Sequence, residues 1–132
     1  MRYMFLVYTR ETDLTEGSAE DMEKLRAAHF AVMDETQKRG ILRGAEPLQP
    51  VATATTVRIA DDKPLVLDGP FAETKEQLGG YYILDCKDLD EAIAWAAKIP
   101  TACRGGGGCI EIRPSRASSA LGALRSANAA SG

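Results

Sequence analysis

One histidine, three cysteines and no long apolar run are what 132 residues provide, and each shortage excludes something. No stretch approaches the ~18 consecutive apolar residues of a membrane span. Met1 leads straight into a strand-like segment rather than a signal peptide, so a soluble cytoplasmic protein away from membranes is expected. An odd cysteine count without a secretory leader opposes a disulfide framework. Cys103 and Cys109 flank Arg104 and four glycines, a spacing that matches no zinc motif, and adding His29 and Cys86 supplies no close ligand pair. There is no nucleophile elbow and no dinucleotide fingerprint. The Gly105–Gly108 run lacks the Gly-Lys-Ser/Thr ending of a phosphate loop and reads as a connector. No metal and no cofactor are therefore expected. With 16 Lys and Arg against 19 Asp and Glu, the net charge is −3, and the basic excess of a direct nucleic-acid binder is missing.

What is present reads as one domain, residues 1–114, followed by an Ala/Ser-rich tail, 115–132, expected to be disordered. Residues 1–9 form a strand with apolar side chains on both faces. Ser18 is a good N-cap for a helix reaching about Arg39, with Met22, Leu25, His29, Val32, Met33 and Thr36 on one face and Gly40 as its stop. An extended segment from Ile41 is broken by Pro47 and Pro50. Residues 53–59 and 64–67 pair as a hairpin around Asp61-Asp62-Lys63. A strand from Gly80 to Cys86 is again apolar on both faces. Asp88 caps a second helix, which Pro100 ends; its two apolar rows are Leu89, Ile93, Ala96 and Ala92, Trp95, Ile99. Cys109–Arg113 is the last strand, with Ile110 and Ile112 inward and Glu111 and Arg113 outward.

Strand, helix, hairpin, strand, helix, strand predicts an α+β sandwich of ferredoxin-like type. Two helices cover only one face of such a sheet. Strands apolar on both faces need a second cover, and another copy of the same sheet is the simplest one. A homodimer with sheets packed face to face is the expectation.

The densest stretch lies between the hairpin and the fifth strand: Asp68-Gly69-Pro70-Phe71-Ala72-Glu73-Thr74-Lys75-Glu76-Gln77-Leu78-Gly79-Gly80. Asp-Gly-Pro breaks a strand. Thr74-x-x-Gln77 is a capping-box pattern that predicts a short helical turn, with Gly79 as its left-handed exit and Gly80 allowing close backbone approach. This signature resembles the DGPF branch of the YCII-related proteins, and the resemblance runs from Met1-Arg2-Tyr3-Met4 to Glu111-Ile112-Arg113-Pro114. It implies a dimeric α/β barrel, in agreement with the pattern argument. It also implies a His–Asp pair, with the histidine on the first helix ahead of the glycine that ends it. His29 and Gly40 reproduce that spacing. The implied Asp precedes a Pro at the end of the second helix, where this chain has Ile99 before Pro100, so the pair is incomplete.

His29 is the candidate acid/base residue, since only histidine titrates near neutrality unperturbed; its bland alternative is a core-edge ring bonded to a backbone carbonyl. Asp68 and Glu73 are the carboxylates that would substitute as its orienter, and Lys75 the clamp for a small anionic ligand. The bland alternative makes Asp68 the cap of its own turn and Glu73–Lys75 a surface pair. Arg43 and Arg104 would complete an anion pocket; the bland alternative leaves both simply solvated. Tyr8, Tyr81 and Tyr82 are assigned to core or dimer interface. The leading reading is a small-molecule-binding protein or an acid/base enzyme of lyase, dehydrochlorinase or isomerase type, with a cleft near His29 and the signature loop. From a different class comes a regulatory interaction module, because relatives of this branch occur joined to or encoded beside extracytoplasmic-function sigma factors. A third reading is a non-catalytic dimeric relative, to which Ile99 lends weight.

Overall fold

The computed structural model describes residues 1–12, 17–100 and 108–116. Its elements are β1 (Arg2–Thr9), α1 (Ala19–Lys38), β2 (Leu42–Pro47), β3 (Thr55–Ala60), β4 (Lys63–Asp68), β5 (Gln77–Asp85), α2 (Leu89–Ala96) and β6 (Cys109–Pro114). Four strands form one antiparallel sheet in the order β2-β5-β1-β6, and among the described residues β3 pairs only with β4. Removing the β3–β4 hairpin leaves β-α-β-β-α-β, the ferredoxin-like α+β arrangement expected from the pattern. Residues 117–132 of the expected tail, together with Cys103 and Arg104, lie outside the described residues. Among the described residues no helix is long and apolar enough to cross a membrane.

β1 and β5 form the centre of the sheet, and their alternation decides the layers. Tyr3, Phe5, Val7, Tyr82 and Leu84 point at the helices and are buried; Phe5 and Leu84 have no exposed surface. Val32 of α1 and Ala92 and Trp95 of α2 close over them. Ser18 accepts the Asp21 amide and Asp88 that of Glu91, so both predicted caps form. Of the two apolar rows on the second helix, Ala92–Trp95–Ile99 is the buried one, while Leu89 and Ile93 stay half exposed. Arg39 and Lys98 both sit over the Trp95 ring, at 5.3 and 4.7 Å from its centroid. They tie the C-terminal ends of the two helices together.

The hairpin turns at Asp61 and Asp62, both with positive φ, the geometry of a two-residue primed turn. Its strands carry exposed apolar side chains, among them Val57, Ile59, Leu65, Val66 and Leu67.

The signature stretch departs from expectation in two places. No helical turn forms over 74–77. Instead the Thr74 hydroxyl donates to the Glu76 carbonyl (2.6 Å), and the Gln77 side chain donates to the Thr74 carbonyl (2.7 Å). Short-range polar bonds make a bend, with too few residues before the strand to propagate a helix. Gly79 is not a left-handed exit either. β5 already begins at Gln77, and Gly79 is the unpaired residue of a bulge, since Val7 pairs with Gly80 and Tyr8 with Leu78. The left-handed glycine of the signature is Gly69, with φ 96°. Close backbone approach at Gly80 does hold. A Cβ there would stand 3.0 Å from the Glu46 carbonyl oxygen and 3.4 Å from the Pro47 Cα, both on the neighbouring strand. At Gly79 the closest atom is the Thr9 methyl, at 2.9 Å. Gly80→Ala is therefore expected to lower unfolding stability by ~1–3 kcal/mol. Gly79→Ala should cost less, because a side-chain methyl yields more readily than a paired backbone; urea denaturation of the two variants compares them.

Candidate functional site

A cleft of about 660 Å³ opens between α1 and the β2–β5 side of the sheet. Met22, Leu25, Phe30 and Met33 of α1 make one apolar wall. Val7, Ala45, Pro47, Gly79 and Gly80 contribute to the sheet side, and the bare glycine backbone keeps the floor open. The charged residues of the lining are Arg26 and Glu46. Into this apolar space project His29, from the middle of α1, and Tyr82, from β5.

His29 Nδ1 lies 2.6 Å from Tyr82 Oη, with the rings nearly parallel and their centroids 5.9 Å apart. The placement follows from two periodicities. His29 lies one helical turn before Val32 and Met33, on the face that packs on the sheet. Tyr82 alternates with Tyr81 and Ile83, so it turns inward with Leu84 and is only 4% exposed. Desolvation lowers the His29 pKa from its usual 6.5. The same cause pushes the Tyr82 phenol up to about 12. Both groups are thus neutral at pH 7, and two proton arrangements suit the hydrogen bond. In one, Nδ1–H donates to the phenol oxygen and Nε2 carries a lone pair. In the other, the phenol O–H donates to Nδ1 and Nε2 is the N–H donor. Either way the phenol holds one ring nitrogen and leaves Nε2 for a ligand.

The residues expected to surround His29 lie elsewhere. Asp68 ends β4 on the hairpin, and Glu73 and Lys75 are exposed on the loop after it. None of the three is in the cleft lining, and the bond at His29 Nδ1 is to Tyr82. Ile99, at the position of the implied Asp, is buried in the core. Arg43 belongs to the opposite face of the sheet. Its Nε bonds Asp85 Oδ2 at 2.7 Å, and Arg2 bonds the other oxygen of the same carboxylate at 2.9 Å. The two guanidiniums, Arg2 foremost, hold the Asp85 carboxyl below its ordinary pKa. Cys86 is a buried free thiol, and Cys109 is exposed. Burial, with Glu91 adding to it, raises the Cys86 thiol pKa, which disfavours the reactive thiolate.

Tyr82 is the site residue that sequence reasoning missed, being placed with the core and interface tyrosines. The available signal was its phase in β5: every second residue from Gly80 faces α1, and His29 sits on the α1 face that meets it. Arg26 was missed because it flanks, rather than occupies, the apolar row of the helix.

The YCII-related domain model matches residues 1–116. The chain belongs to the YCII-related family. An uncharacterised protein of Rhizobium meliloti is 38% identical over 114 residues, which are 86% of this chain and 91% of that protein. Among solved structures, 5-chloro-2-hydroxyhydroquinone dehydrochlorinase from Burkholderia phenoliruptrix, in complex with 2,5-dihydroxybenzoquinone, superimposes with a TM-score of 0.51 at 16% identity. The match covers 91% of this chain and 98% of that one. At that identity the likeness is one of fold, and it agrees with the ferredoxin-like topology of this YCII-related chain.

Two titrations test the electrostatics. His29 is the only imidazole, so its NMR titration is unambiguous, and its midpoint is expected below 6.5. Because the folded pKa is depressed, the neutral ring's share of stability is present above 6.5 and is lost as pH falls through the folded value. For Asp85 the contribution is present above the ordinary carboxylate pKa and is lost as pH drops through its lowered one. Asp85→Asn should reduce the melting midpoint by a few degrees at pH 7, a deficit that narrows as the pH is taken down to 2.

Proposed function

We propose that this YCII-related protein binds a small, largely apolar molecule in the α1 cleft and carries out acid/base chemistry on it, with His29 as the proton-transfer residue. The single observation behind this reading is the 2.6 Å His29–Tyr82 contact inside an apolar cleft. A phenol differs from a carboxylate as an orienter. It fixes the ring and the tautomer but adds no charge to stabilise an imidazolium. The base is correspondingly weak, matched to a proton that is already acidic: an enol, a phenol, or a carbon next to a carbonyl. Elimination or isomerisation of a hydroxylated, carbonyl-bearing ring or chain fits that demand. The dehydrochlorinase sharing this fold was solved with a dihydroxybenzoquinone, and this makes such quinones the first probes to use.

In this scheme Nε2 accepts the substrate proton while Nδ1–H remains donated to Tyr82 Oη, and Arg26 at the rim meets any partial negative charge that develops. Asp68, Glu73 and Lys75 have a role only through a movement of the loop toward α1. The functional unit we propose is a homodimer, built through the sheet face that the helices leave uncovered. Met4, Leu6, Tyr81 and Ile83 are half-buried there in the single chain, and a second sheet would complete their burial.

The test is binding of 2,5-dihydroxybenzoquinone, followed by fluorescence and calorimetry, with the wild type, His29→Ala and Tyr82→Phe. Tyr82→Phe is expected to weaken binding about tenfold, through the freed Nδ1. His29→Ala is expected to abolish turnover of any halogenated or hydroxylated substrate found. Unchanged affinity in both variants would remove the cleft from consideration.

A further inference from the structure

The sheet face away from the helices gathers arginines at one end. Arg2 opens β1, Arg43 lies at the start of β2, and Arg113 stands near the end of β6 with Arg116 just beyond it. Strand alternation puts Arg2 on this face with Met4 and Leu6, because Tyr3, Phe5 and Val7 are buried against the helices. Arg113 pairs with Met4 across the ladder and so shares the face. The four arginines line a groove of about 480 Å³. Met4, Leu6 and Ile83 give it an apolar floor. No lining residue is common to this groove and the α1 cleft.

Charge in the groove does not balance. Arginine stays protonated in proteins. The carboxylate that meets these cations is Asp85, which accepts Arg2 Nε on Oδ1 at 2.9 Å and Arg43 Nε on Oδ2 at 2.7 Å. It holds both guanidiniums in place, and each keeps N–H donors to offer a ligand. Arg113 and Arg116 are exposed and have no ion pair among the described residues. Four positive charges against one negative therefore leave three unmatched beside an apolar floor. Glu111 shares the face, paired with Leu6, but is not part of the groove lining.

We infer that this groove binds a small organic dianion with an apolar body, of which a phosphate monoester is the simplest form. Guanidinium forks match the oxygens of a phosphate, and a dianionic head answers three surplus positive charges better than one carboxylate does. Met4, Leu6 and Ile83 give the body of the ligand, a ring or a short chain, a surface to leave water on. The volume lies in the range of small-molecule sites. Arg43, which the sequence placed in an anion pocket beside His29, takes that role on the opposite face of the sheet. The inference does not rest on the chemistry proposed for the α1 cleft. Nor does it rest on the homodimer. The arginines stand at strand ends, on the perimeter of the uncovered face, where an interface with a second copy stays polar and open to water.

The experiment is calorimetric titration of the full chain at low ionic strength and neutral pH with phenyl phosphate, inorganic phosphate and benzyl alcohol. Phenyl phosphate is expected to bind about tenfold more tightly than inorganic phosphate, through the ring on the floor. Benzyl alcohol, which has the ring without the charge, should give no measurable heat. Arg113→Gln and Arg116→Gln are each expected to weaken phenyl phosphate about tenfold, and added salt should weaken it further in the wild type. Both positions are exposed, and circular dichroism checks that the variants keep the fold. Arg26→Gln removes the cation of the α1 cleft and should leave this affinity unchanged. A wild type that does not bind phenyl phosphate at millimolar concentration overturns the inference, as does unchanged affinity in both Arg113→Gln and Arg116→Gln. Equal affinity for the two phosphates overturns the amphipathic class of ligand. A loss confined to Arg26→Gln places the anion in the α1 cleft, which overturns the groove and leaves the cleft reading standing.

Discussion

The antiparallel pairing of β1 with β5 is the constraint from which the rest of the molecule follows. It places Tyr3, Phe5, Val7, Tyr82 and Leu84 on one face, where the helices bury them. By the same alternation it places Met4, Leu6, Tyr81 and Ile83 on the other. Because the side-chain period is two, a one-residue slip would exchange these sets and carry Asp85 and Arg2 toward the core. The register is held at one end by the Met1 amino group bonding the Cys86 carbonyl, and by the Arg2–Asp85 pair. At the other end the Gly79 bulge absorbs the irregularity beside the cleft. The same pairing therefore defines the core, the floor of the cleft and the composition of the uncovered face.

Much of the fold was legible in the sequence because its signals are local. Ser18 and Asp88 announce helix starts, Gly40 a stop, and the two-sided apolar strands announce the centre of a sheet. The signature stretch was harder. Thr74 and Gln77 do not form the capping-box contacts; both side chains donate to backbone carbonyls, and the chain enters β5 at once, so pairing with β1 overrides the helical tendency. Glycine had two uses there, a positive φ at Gly69 and a missing Cβ at Gly79 and Gly80. Sequence alone does not separate these, since only strand register tells which is needed.

The site was less legible because its key contact joins residues 53 positions apart. A histidine on an apolar helical face signals a partially buried imidazole but not its partner. The resemblance pointed to a carboxylate, and Asp68 and Glu73 were the nearest acids in a conspicuous loop. Tyr82 was visible, but as one of three tyrosines on apolar strands, and its hydroxyl marks it as a site residue only once α1 is laid over β5.

That a phenol and not a carboxylate meets His29 bears on how a YCII-related chain with Ile99 before Pro100 can keep a site. A carboxylate at that point, without a cation to match, would add a buried charge to the apolar end of α2. Ile99 instead joins Ala92 and Trp95 in the core and holds α2 against the sheet. In the proposed site the orienting task would fall to Tyr82, already fixed by the sheet and able to act without ionisation. The arrangement is less basic but insensitive to pH from the His29 midpoint up to the phenol's own pKa, about 12. In the proposed chemistry, a weak, rigidly held base in an apolar cleft would discriminate among ligands by the acidity of the proton they offer. Shape enters through Met22, Met33 and Phe30, whose side chains adapt more readily than the glycine floor beneath them.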